Sequence, residues 1–285
     1  MKYLYYPGCS LKSSGKFYED SLLAVFKTLG VEVEELNDWN CCGATNYMSI
    51  NDRDAISITA RNLALAEKQG GGELIAPCAA CYMGLLKTQN YLDTDTELRE
   101  RVVNQLSQQG LTSRKNIRVR HPLDVLVNDV GMEAIRKAVK VPLSSVKAAC
   151  YYGCQLIRPF ATFDNAHDPQ TMDKIARALG AEPIDWPIKT RCCSGSMTTT
   201  LTNIGLSMNF ELLKEAKRRG GNVILTACPL CQFNLECFQG KISRIYHEDV
   251  KIPVMYFTQL MGLALGIPEK ELGLHRMLSP ELTLV

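Results

Sequence analysis

Tyr5-Tyr6-Pro7-Gly8-Cys9, Asn40-Cys41-Cys42-Gly43 and Ala76-Pro77-Cys78-Ala79-Ala80-Cys81 form a series along the chain. Tyr151-Tyr152-Gly153-Cys154, Arg191-Cys192-Cys193-Ser194 and Thr226-Ala227-Cys228-Pro229-Leu230-Cys231 repeat it. Between the single cysteine and the pair lie 31 residues in the first copy and 37 in the second; from the pair to the C-x-x-C lie 35 and 34. Ten of the twelve cysteines fall into this grammar, so the rest of the chain reads as scaffold for two cysteine groups. LGVEVEELNDWNCCG (29–43) also aligns with LGAEPIDWPIKTRCCSG (179–195), and GELIAPCAAC (72–81) with NVILTACPLC (222–231). An internal duplication is the simplest account.

Working outward, apolar runs and helical stripes alternate. Residues 3–6 read as a short buried strand ended by Pro7-Gly8, residues 21–29 as a helix ended by Gly30, and residues 31–36 as a half-buried strand of period two. The pair Cys41-Cys42 follows in a loop. Residues 54–68 are a predicted helix closed by three glycines, 74–76 a strand, and the C-x-x-C opens a helix over 79–92. A polar stretch, 93–116, reads as a helix with a loop, 117–120 as a strand and 123–139 as a helix. The second half repeats the order, with predicted strands at the start of the Cys154 loop, at 183–185, 223–228 and 254–257, and helices at 171–179, 206–218, 228–238 and 259–265. This pattern predicts an α/β protein of two duplicated small domains, 1–145 and 146–285, each with a mainly parallel sheet. Each cysteine group then sits at the carboxyl ends of the strands, where open α/β folds gather their ligands. The C-x-x-C at a helix start also favours thiolate over thiol.

At 285 residues the chain is comfortable for two such units, and 46% hydrophobic with 22% charged residues is ordinary for a soluble globular protein. A net charge of +2 and the lack of a basic stripe exclude nucleic acid as a partner. MKYLYYPGC has no apolar core of a signal peptide, and MGLALGI (261–267) is far shorter than the ~18 residues of a membrane span. A cytoplasmic protein is expected, where patterned cysteines mean metal or redox chemistry more often than disulfides.

Three kinds of chemistry compete for the cysteines. Structural zinc takes four ligands, usually as two separated pairs, whereas each half offers five thiols with two adjacent. A thioredoxin-like dithiol explains a lone C-x-x-C but leaves the adjacent pair idle. Iron–sulfur clusters take thiolates, but five are one too many for a 4Fe–4S cube. Either one thiol is spare or a thiolate bridges two irons of an opened cluster, and the count does not choose.

These residues resemble the CCG-domain proteins, specifically the B-type component of heterodisulfide reductase and its bacterial and archaeal relatives, over essentially the whole chain. The resemblance implies two non-cubane 4Fe–4S clusters, one on Cys9, Cys41, Cys42, Cys78 and Cys81, the other on Cys154, Cys192, Cys193, Cys228 and Cys231. It further implies a catalytic subunit of a heterodisulfide-reductase-like complex, an oxidoreductase whose clusters flank a disulfide and bind its sulfurs as the S–S bond breaks. Electrons come from a ferredoxin-like iron–sulfur subunit and, beyond it, a flavin-containing subunit; the chain itself has no G-x-G-x-x-G placed to hold a flavin or nicotinamide. The substrate is expected to be a small disulfide, thiol or persulfide. The alternatives are a sulfur-oxidising complex acting on persulfides and an electron-transfer subunit that touches no substrate. One position departs from the motif: Ser194 stands where the glycine after the pair is expected, which alters the rim of the pocket and leaves the thiols in place.

The remaining candidates have plainer readings. Cys150 and Cys237 are expected as inert core thiols, and His121, His167, His247 and His275 as surface or loop residues. Trp39 and Trp186, ahead of the two pairs, are expected to pack in the core beside them. Lys189 and Arg191 are expected as a solvated charge pair.

Overall fold

The central strands of the two sheets are the apolar runs that lead into the single cysteines. In the computed structural model, which describes residues 1–44, 46–112 and 117–283, the first four strands are β1 (Lys2–Tyr5), β2 (Glu32–Glu35), β3 (Gly72–Ile75) and β4 (Ile117–Arg120). The other four are β5 (Lys147–Tyr151), β6 (Glu182–Pro183), β7 (Val223–Thr226) and β8 (Val254–Tyr256). They form two four-stranded sheets with the orders β2-β1-β3-β4 and β6-β5-β7-β8, and every pairing is parallel. The same order twice is the structural counterpart of the sequence repeat. Tyr3, Leu4 and Tyr5 of β1 are buried because helices cover both faces of a parallel sheet, whereas the acidic β2 lies at an edge and stays largely exposed.

Helices return the chain between strands. Asp52–Lys68 starts at Asn51, whose side chain accepts the Asp54 N–H, and carries Asp52 and Asp54 in its positive first turn. Thr96–Ser107 is capped in the same way by Asp95. The segment expected as one helix over 123–139 is interrupted. It runs as a helix over Pro122–Val125, a π turn over Leu126–Val130 and a second helix over Met132–Ala138. Gly131, at φ +83°, breaks it in a conformation that suits glycine. Helix Gln239–Tyr246 was not expected, and residues 113–116 of the polar stretch lie outside the described residues.

The two halves share one apolar core. Helix Lys16–Thr28 of the first half lies against helix Phe257–Ala264 of the second. There Tyr18 stacks on Tyr256 at 4.2 Å and Ser21 Oγ meets Thr258 Oγ1 at 2.7 Å. In the other direction the loop after Cys154 reaches back, with Thr162 hydrogen-bonded to Tyr82 and Phe163 parallel to the His121 ring. This exchange brings the carboxyl ends of both sheets together.

Candidate functional site

Because all strands in a sheet run the same way, the loops after β1, β2 and β3 leave from one edge. Cys9 lies in the short helix Gly8–Leu11 after β1, Cys41 and Cys42 in the loop after β2, and Cys78 caps helix Ala79–Thr94 with Cys81 in its first turn. In the second half Cys228 caps helix Pro229–Cys237, where Pro229 suits a first turn that needs no N–H. The loops converge: Cys42 Sγ is 3.2 Å from Cys81 Sγ, and Cys193 Sγ 3.4 Å from Cys231 Sγ. The glycine before each single cysteine adopts a left-handed backbone, and at Gly8 the close approach to Cys81 also leaves no room for a side chain. At Gly8, φ +69°, a Cβ would sit 2.9 Å from Cys81 Sγ; at Gly153, φ +64°, one would sit 3.4 Å from Cys231 Sγ.

All ten patterned thiols are linked by pairwise interactions. Hydrogen bonding with Cys41 and Cys81 holds the Cys42 thiol well below its usual range, and the same contact with Cys42 pushes Cys81 well up. Cys193 is lowered in the same way by Cys192 and Cys231, with Cys231 raised. Cys9 and Cys154 are raised by their bonds to Cys41 and Cys192. The two groups meet at Cys78, which Cys228 and Cys81 hold well below its usual range. At Cys228 the bond to Cys231 pulls down, but Cys78 and burial outweigh it and push the thiol up to about 12. Like charges this close repel, so Cys42 is held low beside a raised Cys81 and Cys193 beside a raised Cys231.

That donor set suits a multinuclear centre. Among the described residues no group of three or more His, Cys, Asp or Glu side chains is arranged to hold a single metal ion. Five soft sulfurs in each half, two of them adjacent in sequence, match the thiolate ligation of iron–sulfur clusters better than a four-ligand mononuclear zinc site.

Supporting groups recur in both halves and were missed from sequence. Tyr6 O–H donates to Asn40 C=O at 2.8 Å and Tyr151 O–H to Arg191 C=O at 2.7 Å, each fixing the residue before a cysteine pair. The carbonyl of the second cysteine in each pair is held as well, by Thr59 Oγ1 on Cys42 and by Asn234 Nδ2 at 2.9 Å on Cys193. The paired tyrosines ahead of both Gly-Cys steps were the available signal.

Several expectations need correction. Cys150 is buried as expected, with Trp186 Nε1 donating to its carbonyl, but Cys237 is exposed, because it shares with Phe233, one turn earlier, the outer face of a helix whose other side is buried. Lys189 is no solvated charge: it is buried, donates to Pro169 C=O at 2.8 Å and pairs with Asp168 at 2.7 Å, while Arg191 is exposed. His121 is fully buried, with Nε2 hydrogen-bonded to Pro77 C=O at 2.9 Å and Nδ1 accepting the Leu123 N–H. Burial pushes its pKa down to about 3, so it is neutral. His167, His247 and His275 are exposed as expected. Trp186 is buried, whereas Trp39 is half-buried and packs edge-on against Tyr6. Ser194 keeps the glycine-like backbone, φ +73°, and is buried at the rim of a cavity.

That cavity, about 380 Å³, lies between the halves and is within the usual range of small-molecule sites. All five thiols of the second group line it. The first half contributes Ala44, Met48 and Ser49 and the start of helix Ala79–Thr94 with Ala80, Gly84 and Lys87, and none of its own patterned thiols.

Comparisons with known proteins agree with this architecture. The chain is 30% identical over 276 residues to the 8-methylmenaquinol:fumarate reductase membrane anchor subunit of Wolinella succinogenes, covering 96% of this chain and 95% of that protein. It is 27% identical over 274 residues to the B component of the ferredoxin/F420H2-dependent CoB-CoM heterodisulfide reductase of Methanosarcina acetivorans (94% and 91%). Identity is also 27%, over 282 residues, to a heterodisulfide reductase B-like protein of Archaeoglobus profundus (96% and 94%). A hypothetical protein from Helicobacter pylori shares the fold, with a TM-score of 0.79 at 17% identity; this chain spans 53% of its length. Among the described residues no helix is long and apolar enough to cross a membrane. The cysteine-rich CCG domain matches residues 3–86 and 148–236, one copy on each cysteine group, and the chain belongs to that family as a heterodisulfide reductase B-like redox subunit.

Proposed function

We propose that each half, 1–145 and 146–285, acts as one domain holding one non-cubane 4Fe–4S cluster. Cys9, Cys41, Cys42, Cys78 and Cys81 would hold the first and Cys154, Cys192, Cys193, Cys228 and Cys231 the second. The chain is then the catalytic subunit of a heterodisulfide-reductase-like complex that makes or breaks an S–S bond in a small disulfide, thiol or persulfide. When bound, the clusters supply one-electron transfer to sulfur. The protein's part is to hold ten thiolates at two sheet edges, to fix the paired-cysteine loops through Tyr6, Tyr151, Thr59 and Asn234, and to keep a space beside the thiols for a ligand. The observation that carries this reading is the cavity floored by a complete cysteine group. Electrons would come from a ferredoxin-like subunit and a flavin-containing subunit. Anaerobically purified protein should carry about eight irons and eight sulfides per chain, one four-iron cluster for each group of five thiolates. About two zincs with little iron would sink the reading.

A second reading, an electron-transfer subunit that touches no substrate, is favoured by the Wolinella relative's designation as an anchor subunit and by the exposure of Cys9 and Cys41. A spectral response of the iron centres to a small thiol would decide for the first.

A further inference from the structure

We infer that Asn234 raises the reduction potential of the second centre by donating a side-chain N–H to the Cys193 sulfur, a contact without a counterpart in the first half. This rests on the iron–sulfur reading above. Asn234 lies in helix Pro229–Cys237 and is 1% exposed. Its Nδ2 is 2.9 Å from Cys193 C=O, 2.8 Å from Gly195 C=O and 3.5 Å from Cys193 Sγ. The two carbonyls fix which end of the amide faces the loop, since an oxygen placed there would meet only acceptors. The NH2 group has fewer hydrogens than acceptors, so the sulfur shares one with a carbonyl, and the positive end of the amide dipole stays against it. Asn234 Oδ1 is buried with no partner among the described residues, so the side chain is held from its Nδ2 end.

Backbone donors match across the repeat: Ala44 N–H reaches the Cys42 sulfur and Gly195 N–H the Cys193 sulfur. The side-chain donors do not match. In register with each C-x-x-C, Gly84 stands where Asn234 does and Thr59 where Asn209 does. In the first half Thr59 Oγ1, from helix Asp52–Lys68, donates to Cys42 C=O, and even a Cβ at Gly84 would lie 3.2 Å from Ala44 Cβ. In the second half Asn209 turns to Thr198, and Asn234 holds the Cys193 carbonyl from the other helix, gaining the sulfur as it does so. The same loop is held by different means, and one of them touches a thiol. Hydrogen bonds to cluster sulfurs tune the reduction potential, and they raise it because they stabilise the more negative state. Burial strengthens the effect by lowering the local dielectric. Asn234 therefore biases electrons shared between the two centres toward the second.

The test is a redox titration of anaerobic, iron-loaded protein followed by EPR, with Cys41→Ser, which disrupts the first centre, used to assign the signals. Asn234→Ala should shift the reduction equilibrium of the second centre about fivefold toward the oxidised form, about 40 mV for a one-electron couple, and leave the first unmoved. Adding Asn209→Thr imports the first half's way of holding the loop without a donor to sulfur, so the shift should persist. Thr59→Val, which frees the Cys42 carbonyl but no sulfur, should move the first centre by less than about twofold. An unaltered potential in Asn234→Ala, a shift reversed by Asn209→Thr, or an equal shift in Thr59→Val would assign Asn234 to holding the loop alone and overturns the inference. If both Asn234 variants lose the second centre, Cys41→Ser protein carrying asparagine labelled with 15N at its side-chain amide decides. It should show a nitrogen coupling to the remaining centre, and the lack of one overturns the inference. Each of these outcomes leaves the iron–sulfur reading standing, whereas a chain that holds zinc instead of iron overturns both.

Discussion

β4 and β8 occupy the same place in the two sheets, yet their scaffolding is built on opposite principles. Ile75 pairs with Arg120 and its counterpart Leu225 with Met255. Arg120 is 2% exposed and is held by Asp124 at 2.6 Å, by Asp129, and by Glu73 at 3.3 Å, with Tyr3 O–H also donating to Asp129. Burial would raise the Asp129 pKa, but the Arg120 and Tyr3 bonds win and lower it. In the second half Met255 is equally buried, and Val223 and Gln259 stand where Glu73 and Asp124 do. The parallel sheet tolerates either an ionic or an apolar underlay, while the thiols above keep their geometry. Breaking this contrast should give the largest effect. Arg120→Met strands the buried Asp124 and the half-buried Asp129 and should cost about 3–5 kcal/mol in denaturant unfolding, part of it recovered by adding Asp124→Gln and Asp129→Asn. Met255→Leu, a volume-conserving swap, should cost less than about 1.5 kcal/mol. Equal losses would show that the ion network carries no special weight.

The next contrast is between the residues that open the following helices, His121 and Tyr256. Only His121 titrates near neutral pH when unfolded. Its folded pKa of about 3 lies below the ordinary 6.5, so the unfolded chain binds the proton more readily. The stabilisation is complete above pH 6.5 and is lost as pH falls from there toward 3. Linkage gives a loss of about 2 kcal/mol between pH 7.5 and pH 5. His121→Gln, which keeps a donor but has no proton to gain, should flatten that slope. A slope unchanged in the variant would place the acid sensitivity elsewhere.

How much of this was legible in the sequence follows from where each feature comes from. Cysteine spacing and the strand–helix alternation are local, and they yield the parallel sheets and the convergence of three loops in each half. The approach of Cys78 to Cys228 depends on Lys16–Thr28 packing against Phe257–Ala264, a contact with no signature at either stretch. Lys189 looked solvated because its partners, Pro169 and Asp168, come from a loop whose path is tertiary. His121 follows an exposed-looking IRVR run, and only the pairing of β4 with β3 brings it under Pro77 C=O.

The smallest contrast concerns the residue after each cysteine pair. Gly43 has φ +65°, and Ser194, its counterpart, has φ +73°. A left-handed conformation costs a non-glycine residue about 1–2 kcal/mol. Ser194 offsets part of this through the hydrogen bond between its Oγ and Thr198 Oγ1, worth about 1 kcal/mol. Glycine would also restore chain entropy to the unfolded state, worth about 0.4–1 kcal/mol. Ser194→Gly should therefore change unfolding free energy by less than about 1 kcal/mol, the relief and the losses nearly cancelling. The reverse exchange is not symmetric. A Cβ at Gly43 would lie 3.1 Å from Ala55 C=O and 3.3 Å from Ala55 Cβ, and the helix that carries Ala55 cannot easily give way. Gly43→Ser adds that contact to the conformational cost and should lose at least about 1–2 kcal/mol. The two variants measured side by side by guanidinium unfolding test the point. If Gly43→Ser proves as mild as Ser194→Gly, the approach to Ala55 is not what separates the two loops.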